Sequence, residues 1–188
     1  LTAPHGTWYA NPSEGGHSTF APYDQETAEL AAFVKEKYGV APGTEPFVSG
    51  QGITNIFAFY RKKGMAISGV LEEIDKAADE DKPALISKNA KDNADCRKIM
   101  NLFVAMYGRF AGSLSLIFMC GSGMYLAGGI VGKNEWLFQE NNLFMKNFEV
   151  NYNPNIRPLL KKTPVYIIKD YSISLYGAAN AAVTLIGK

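Results

Sequence analysis

Between Asp95 and Met119 the apolar residues Ile99, Leu102, Phe103, Met106, Phe110, Leu114 and Ile117 recur at three- and four-residue intervals. That is the period of one buried helix face, so the segment predicts a central helix starting near Asp95 as its N-cap. A Met and aromatic stripe at this spacing is what burial requires, and we assign it to core rather than to a cofactor. The stretch from Phe110 to Gly132 carries no charge, and a bilayer span needs only about 20 residues. Gly121 and Gly123 interrupt it, however, and six glycines lie within it. The better parse is the end of a buried helix, a turn, then a buried strand.

Shorter elements surround this helix. Ala28, Ala31, Phe33 and Val34 place a helix over Gln25 to Tyr38, stopped by Gly39, and Ile53, Ile56 and Phe57 continue a second from Gly52 to Tyr60. Phe47-Val48-Ser49, Met124-Tyr125-Leu126-Ala127 and Val165-Tyr166-Ile167-Ile168 read as strands, and a last helix runs from Leu175 to Leu185. The charged stretch from Met65 to Lys91 reads as an exposed helical excursion. With 188 residues, 47% of them hydrophobic, the chain can fill one large domain. Strands alternating with helices imply an α/β sheet flanked by helices, which binds ligands at the carboxyl ends of its strands. Two strand-to-helix junctions carry glycines there, Ser49-Gly50-Gln51-Gly52 and Ala127-Gly128-Gly129-Ile130. Backbone N–H groups at such starts suit a phosphate or a nucleoside edge, although glycines at a junction taken alone more often serve tight packing than ligand contact.

The sharpest polar feature is Glu14-Gly15-Gly16-His17, followed by Phe20-Ala21-Pro22. Its glycines lack Cβ atoms and permit positive φ, so the backbone can bend and let Glu14 and His17 converge on one small molecule. A carboxylate accepts hydrogen bonds from two adjacent hydroxyls and an imidazole supplies a third, which matches a sugar ring. Taken alone, the segment reads equally as an exposed turn. His5 and His17 are the only histidines, too few with one Glu for a four-ligand zinc shell, so no metal site is assigned.

Nineteen Lys and Arg against eighteen Asp and Glu leave a net charge of +1. The basic residues are scattered, Arg61-Lys62-Lys63 and Lys161-Lys162 reading as solvated faces, which speaks against a nucleic-acid partner. Cys96 and Cys120 sit in apolar surroundings without redox or metal spacing, as expected for buried thiols in a cytoplasmic protein. No signal peptide is visible and residue 1 is Leu rather than Met, so we expect the chain to begin partway through a gene product.

Taken in order, Glu14-Gly15-Gly16-His17, Phe20-Ala21-Pro22, Glu45 ahead of Ser49-Gly50-Gln51-Gly52, Cys96-Arg97, Gly108-Arg109-Phe110 and Ala127-Gly128-Gly129-Ile130 resemble the bacterial glucokinase family. The resemblance covers nearly the whole chain. It implies the large C-terminal domain of an actin-like sugar kinase, with a ribonuclease-H-like mixed sheet. It also implies ATP- and magnesium-dependent phosphorylation of the glucose 6-hydroxyl in a cleft between two domains, and a homodimer. By motif, Glu14, His17 and Glu45 would bind the sugar, Gly128 and Gly129 the adenosine side, with Gly50 and Gly52 flanking the cleft. The family's phosphate loops and catalytic Asp would precede Leu1, so this chain alone is expected to be inactive. Asn153-Pro154-Asn155 and Ser174-Leu175-Tyr176-Gly177-Ala178 depart from the family's pattern. A non-catalytic sugar sensor, or a kinase for another hexose, is the alternative; an actin-like filament protein would have little use for the Glu–His loop.

Overall fold

Where Asp24 leaves extended backbone, its carboxylate accepts the Thr27 amide at 2.8 Å, and the Thr27 hydroxyl accepts the Asp24 amide at 3.1 Å. This reciprocal cap starts helix α1 (Gln25–Tyr38), and Gly39, at φ 74°, ends it in the left-handed conformation that favours glycine. The computed structural model describes residues 12–170 and 172–186 and divides into two compact units, meeting in sequence at Pro83 and Ala84. His5 lies outside the described residues.

In the first unit α1 packs on α2 (Gly50–Lys62). Leu30 and Val34 are buried on α1, and Ile53, Ile56, Phe57, Phe59 and Tyr60 on α2. Phe47-Val48-Ser49 is not the strand its apolar character suggested. The amides of Phe47 and Val48 both donate to the Thr44 carbonyl, at 2.9 and 3.0 Å, closing a turn, while Ser49 caps α2 by accepting from Gly52. Phe47 is buried all the same, its ring stacked on Phe20 at 3.8 Å. So short an apolar run can be buried by one ring contact without a ladder. The charged stretch forms α3 (Val70–Lys76), in this unit, and α4 (Lys82–Asn89), most of which belongs to the second. It is less exposed than expected, since Leu71 and Ile74, three apart on α3, and Ile86 on α4 are buried. Arg61, Lys62 and Lys63 pair with Asp75, Glu36 and Glu29 on the surface.

The second unit is organised by α5 (Ala94–Phe118). Its N-cap is Asn93 rather than Asp95: the Asn93 side chain accepts the amides of Asp95 and Cys96 at 3.0 and 2.9 Å. Ile99, Leu102, Phe103 and Met106 are buried, but Ile117, in the last turn, is 70% exposed. Helix α8 (Leu143–Phe148) packs along α5 at Gly108 and Gly112, where an added Cβ would lie 2.6 Å from the Phe144 carbonyl oxygen and 2.4 Å from that of Phe148. Glycines four apart share a helix face and leave a groove for a neighbouring backbone. Helix α5 is long and apolar enough to cross a membrane; here its apolar face is engaged by the aromatic cluster of Phe103, Tyr107, Phe138 and Phe144.

Strand β1 (Met124–Leu126) pairs in parallel with β2 (Val165–Ile167), each one residue shorter than expected. The parallel pairing requires a crossover, supplied by α6 (Gly129–Lys133), α7 (Glu135–Gln139), α8 and α9 (Arg157–Lys162). Among the described residues the sheet has these two strands. Helix α10 (Ile173–Ile186) begins two residues before the expected Leu175, and Leu175, Tyr176 and Val183 on it are exposed. Cys96 is buried, whereas Cys120 is only half-buried.

Candidate functional site

Glu14 and His17 meet because the chain makes one 3-10 turn over Gly15–His17, closed by the His17 amide donating to the Glu14 carbonyl at 2.9 Å. Residues three apart eclipse in such a turn, so the two side chains stand on one side. The expected use of Gly15 and Gly16 does not hold: neither has positive φ. A Cβ on Gly16 would meet Glu45 Cβ at an ordinary 3.8 Å, and the close approach falls instead on Gly43, because the 43–45 segment lies against this turn. The Glu45 amide donates to the Gly16 carbonyl and the Thr44 amide to the Ser18 carbonyl, both at 2.8 Å, and Thr19 bridges Gly43.

That pairing brings Glu45 to His17 across more than twenty residues of sequence. His17 Nε2 lies 3.6 Å from a Glu14 oxygen and Nδ1 lies 3.9 Å from a Glu45 oxygen. The imidazole thus stands between two carboxylates. Both separations exceed hydrogen-bonding distance, so these groups are not consumed by one another. All three side chains are more than half exposed. The arrangement offers carboxylate lone pairs on either side of an imidazole that can donate or accept, which can receive several neighbouring hydroxyl donors at once.

Sequence reading brought forward Glu14, His17 and Glu45 and missed what holds them. Thr44 is buried, and its hydroxyl donates to the Ser18 carbonyl at 3.0 Å. Asn55 is also buried on α2, donating to the Pro46 carbonyl at 2.9 Å and accepting from Lys37 and Gln51. An Asn amid Ile53, Thr54 and Ile56 was the available signal, since a polar residue inside an apolar helical run must find partners.

The glycines differ among themselves. A Cβ on Gly52 would lie 2.3 Å from the Phe47 carbonyl oxygen, and the Gly52 amide is taken by Ser49, so close packing accounts for it. At Gly50 a Cβ would meet only Pro83, at an ordinary 3.7 Å. Gly128, in the second unit, has φ 117° with nothing within 4 Å of an added Cβ, so its backbone is open where α6 begins at Gly129. Arg97 donates to the Ala90 carbonyl, pairs with Glu140 and stacks over Trp136 at 4.5 Å, which gives the Cys96-Arg97 motif a packing role. Burial pushes the Cys96 thiol up to about 11, away from nucleophilic use. Among the described residues no group of three or more His, Cys, Asp or Glu could hold a metal ion.

A family model described as Glucokinase matches residues 1–185. The chain is 35% identical over 187 residues to a glucokinase of Nostoc sp., covering 93% of this chain and 54% of that protein. It is 31% identical over 176 residues to one of Photorhabdus laumondii, with 92% and 50% covered. Among solved structures, a glucokinase from an Antarctic psychrotroph aligns with a TM-score of 0.71 at 23% identity, over 89% of this chain and 48% of that one. A glucokinase from Balamuthia mandrillaris in complex with glucose gives 0.66 at 21%, over 87% and 44%. At these identities the structural likeness is one of fold. The chain spans about half the length of the curated relatives it matches.

Proposed function

Because the chain belongs to the glucokinase family, we propose that it supplies the sugar- and adenosine-side half of an ATP-dependent kinase that phosphorylates the 6-hydroxyl of D-glucose. The observation that carries this reading is His17 held between Glu14 and Glu45 with none of the three hydrogen-bonded to another. In this reading the carboxylates accept hydroxyl protons of the sugar and His17 completes the contact. Gly128, whose backbone is open, and Gly129 face the nucleotide, Gly50 flanks the cleft, and Gly52 keeps α2 close to the Phe47 turn. ATP supplies the phosphoryl group. The general base and most of the magnesium and phosphate cradle come from outside this chain, which alone is inactive. The sheet is part of a larger ribonuclease-H-like mixed sheet, and the enzyme works in the cytoplasm as a homodimer.

The test is ADP formation from ATP-magnesium and glucose by the protein expressed from its complete open reading frame, beside Glu14→Ala. Hydrogen bonds to a charged group contribute about 1.5–3 kcal/mol, so the variant should bind glucose roughly tenfold or more weakly. Glucose binding without turnover in the parent would favour a sensor over an enzyme; turnover of another hexose alone would move the substrate. Turnover by residues 1–188 alone would refute the division of labour.

A further inference from the structure

We propose that Thr44 is a positioning residue for the sugar site, its buried hydroxyl setting Glu45 in register with His17; this rests on the sugar-binding reading above. The Ser18 carbonyl accepts both the Thr44 amide at 2.8 Å and the Thr44 hydroxyl at 3.0 Å. One residue on, the Glu45 amide bonds Gly16, on the other side of His17. The segment therefore grips the backbone on both flanks of the imidazole. The grip is close: a Cβ on Gly43 would lie 2.7, 2.8 and 2.9 Å from the O, C and Cα atoms of His17. Beyond Glu45, the Pro46 carbonyl is held by buried Asn55.

Glu45 is thus fixed from both neighbours while its own carboxylate stays exposed. The division matters physically. A carboxylate that must stay open to a ligand cannot anchor itself, because any strong partner would compete with the sugar. Its placement must come from the adjacent backbone, and Thr44 is the adjacent residue with a buried polar side chain aimed at the other loop. Thr44→Val keeps shape and removes the hydroxyl. The loop amides remain able to bond, so the loss falls on how long Glu45 dwells opposite His17.

The experiment measures glucose kinetics of the complete gene product as wild type, Thr44→Val and Thr44→Ser, with hydrogen exchange of the peptide covering residues 43–46. We expect Val to raise KM for glucose about five- to tenfold, the worth of one hydrogen bond, with kcat and KM for ATP within about twofold and exchange several-fold faster. Ser should restore all three. A glucose KM for Val within twofold of wild type overturns the proposal, as does Ser impaired as much as Val. Failure of the sugar reading is separable: if the wild type neither binds nor turns over glucose, exchange still decides the register claim. Unchanged exchange in Val then overturns it, and faster exchange restored by Ser sustains it.

Discussion

Gly112→Ala adds one methyl group where α8 leaves no room. The new Cβ would stand 2.4 Å from the Phe148 carbonyl oxygen, 3.2 Å from its carbon and 3.4 Å from its Cα, all backbone atoms. Ordinary contact begins near 3.4 Å, so α8 must withdraw by about 1 Å, carrying the buried Phe144 and Phe148 rings with it. Overpacking of this kind costs about 1–3 kcal/mol, and a backbone obstacle puts it at the upper end. Alanine returns about 1 kcal/mol of helix propensity. The expected net loss is about 2 kcal/mol, or roughly 4–8 °C in Tm for a chain of this size. Gly177→Ala is the control. It makes the same chemical change on α10, where nothing lies within 4 Å of the added Cβ, and should stabilise by about 0.5–1 kcal/mol. Urea unfolding followed by circular dichroism, compared at equal m-value, reads both. A Gly112→Ala protein as stable as its parent would refute the claim that α5 and α8 meet backbone to side.

Two further outcomes follow from burial and capping. Asn93→Ala removes the acceptor for the Asp95 and Cys96 amides and should lower stability by about 1 kcal/mol, whereas Asn93→Asp should hold it, since a carboxylate also caps and suits the helix dipole; urea midpoints distinguish them. Burial raises the folded-state pKa of Cys96 from 9.0 to about 11 and pushes those of Tyr60 and Tyr107 up from 10.0. The unfolded chain therefore releases these protons first. Stability should be fully present below about pH 9 and fall as pH rises through about 11, with Cys96→Ala flattening the first part of the decline in urea midpoints taken across that range.

Much of the architecture was legible because burial of one helix face needs only a local period. The stripe from Ile99 to Met106 predicted α5, and Gly39 marked the end of α1. Helix starts were less legible: Asp95 and Asn93 are both good caps, and only the hydrogen bonds show which is used. Phe47 misled because a buried aromatic in a turn and one in a strand look alike in sequence. The exposed Ile117, at the end of the same stripe, shows that periodicity states which face a residue lies on and not whether anything covers it.

For the candidate site, chemistry and spacing in the sequence singled out Glu14 and His17, the ordered motifs added Glu45, and the structure brings the three side chains together. The physics behind Gly15 and Gly16 was misread. They do not reach positive φ; they sit where Glu45 and Thr44 close on the loop. What the sequence determined by itself was short-range: helix periods, turn residues, and a carboxylate three residues from an imidazole. Tertiary structure decided the pairing of residues 16–19 with 43–45, and with it the buried hydroxyl of Thr44 and the amide of Asn55. Those bonds join residues far apart in the chain, so their energy appears only once the backbone has closed the loop, and no local pattern records it.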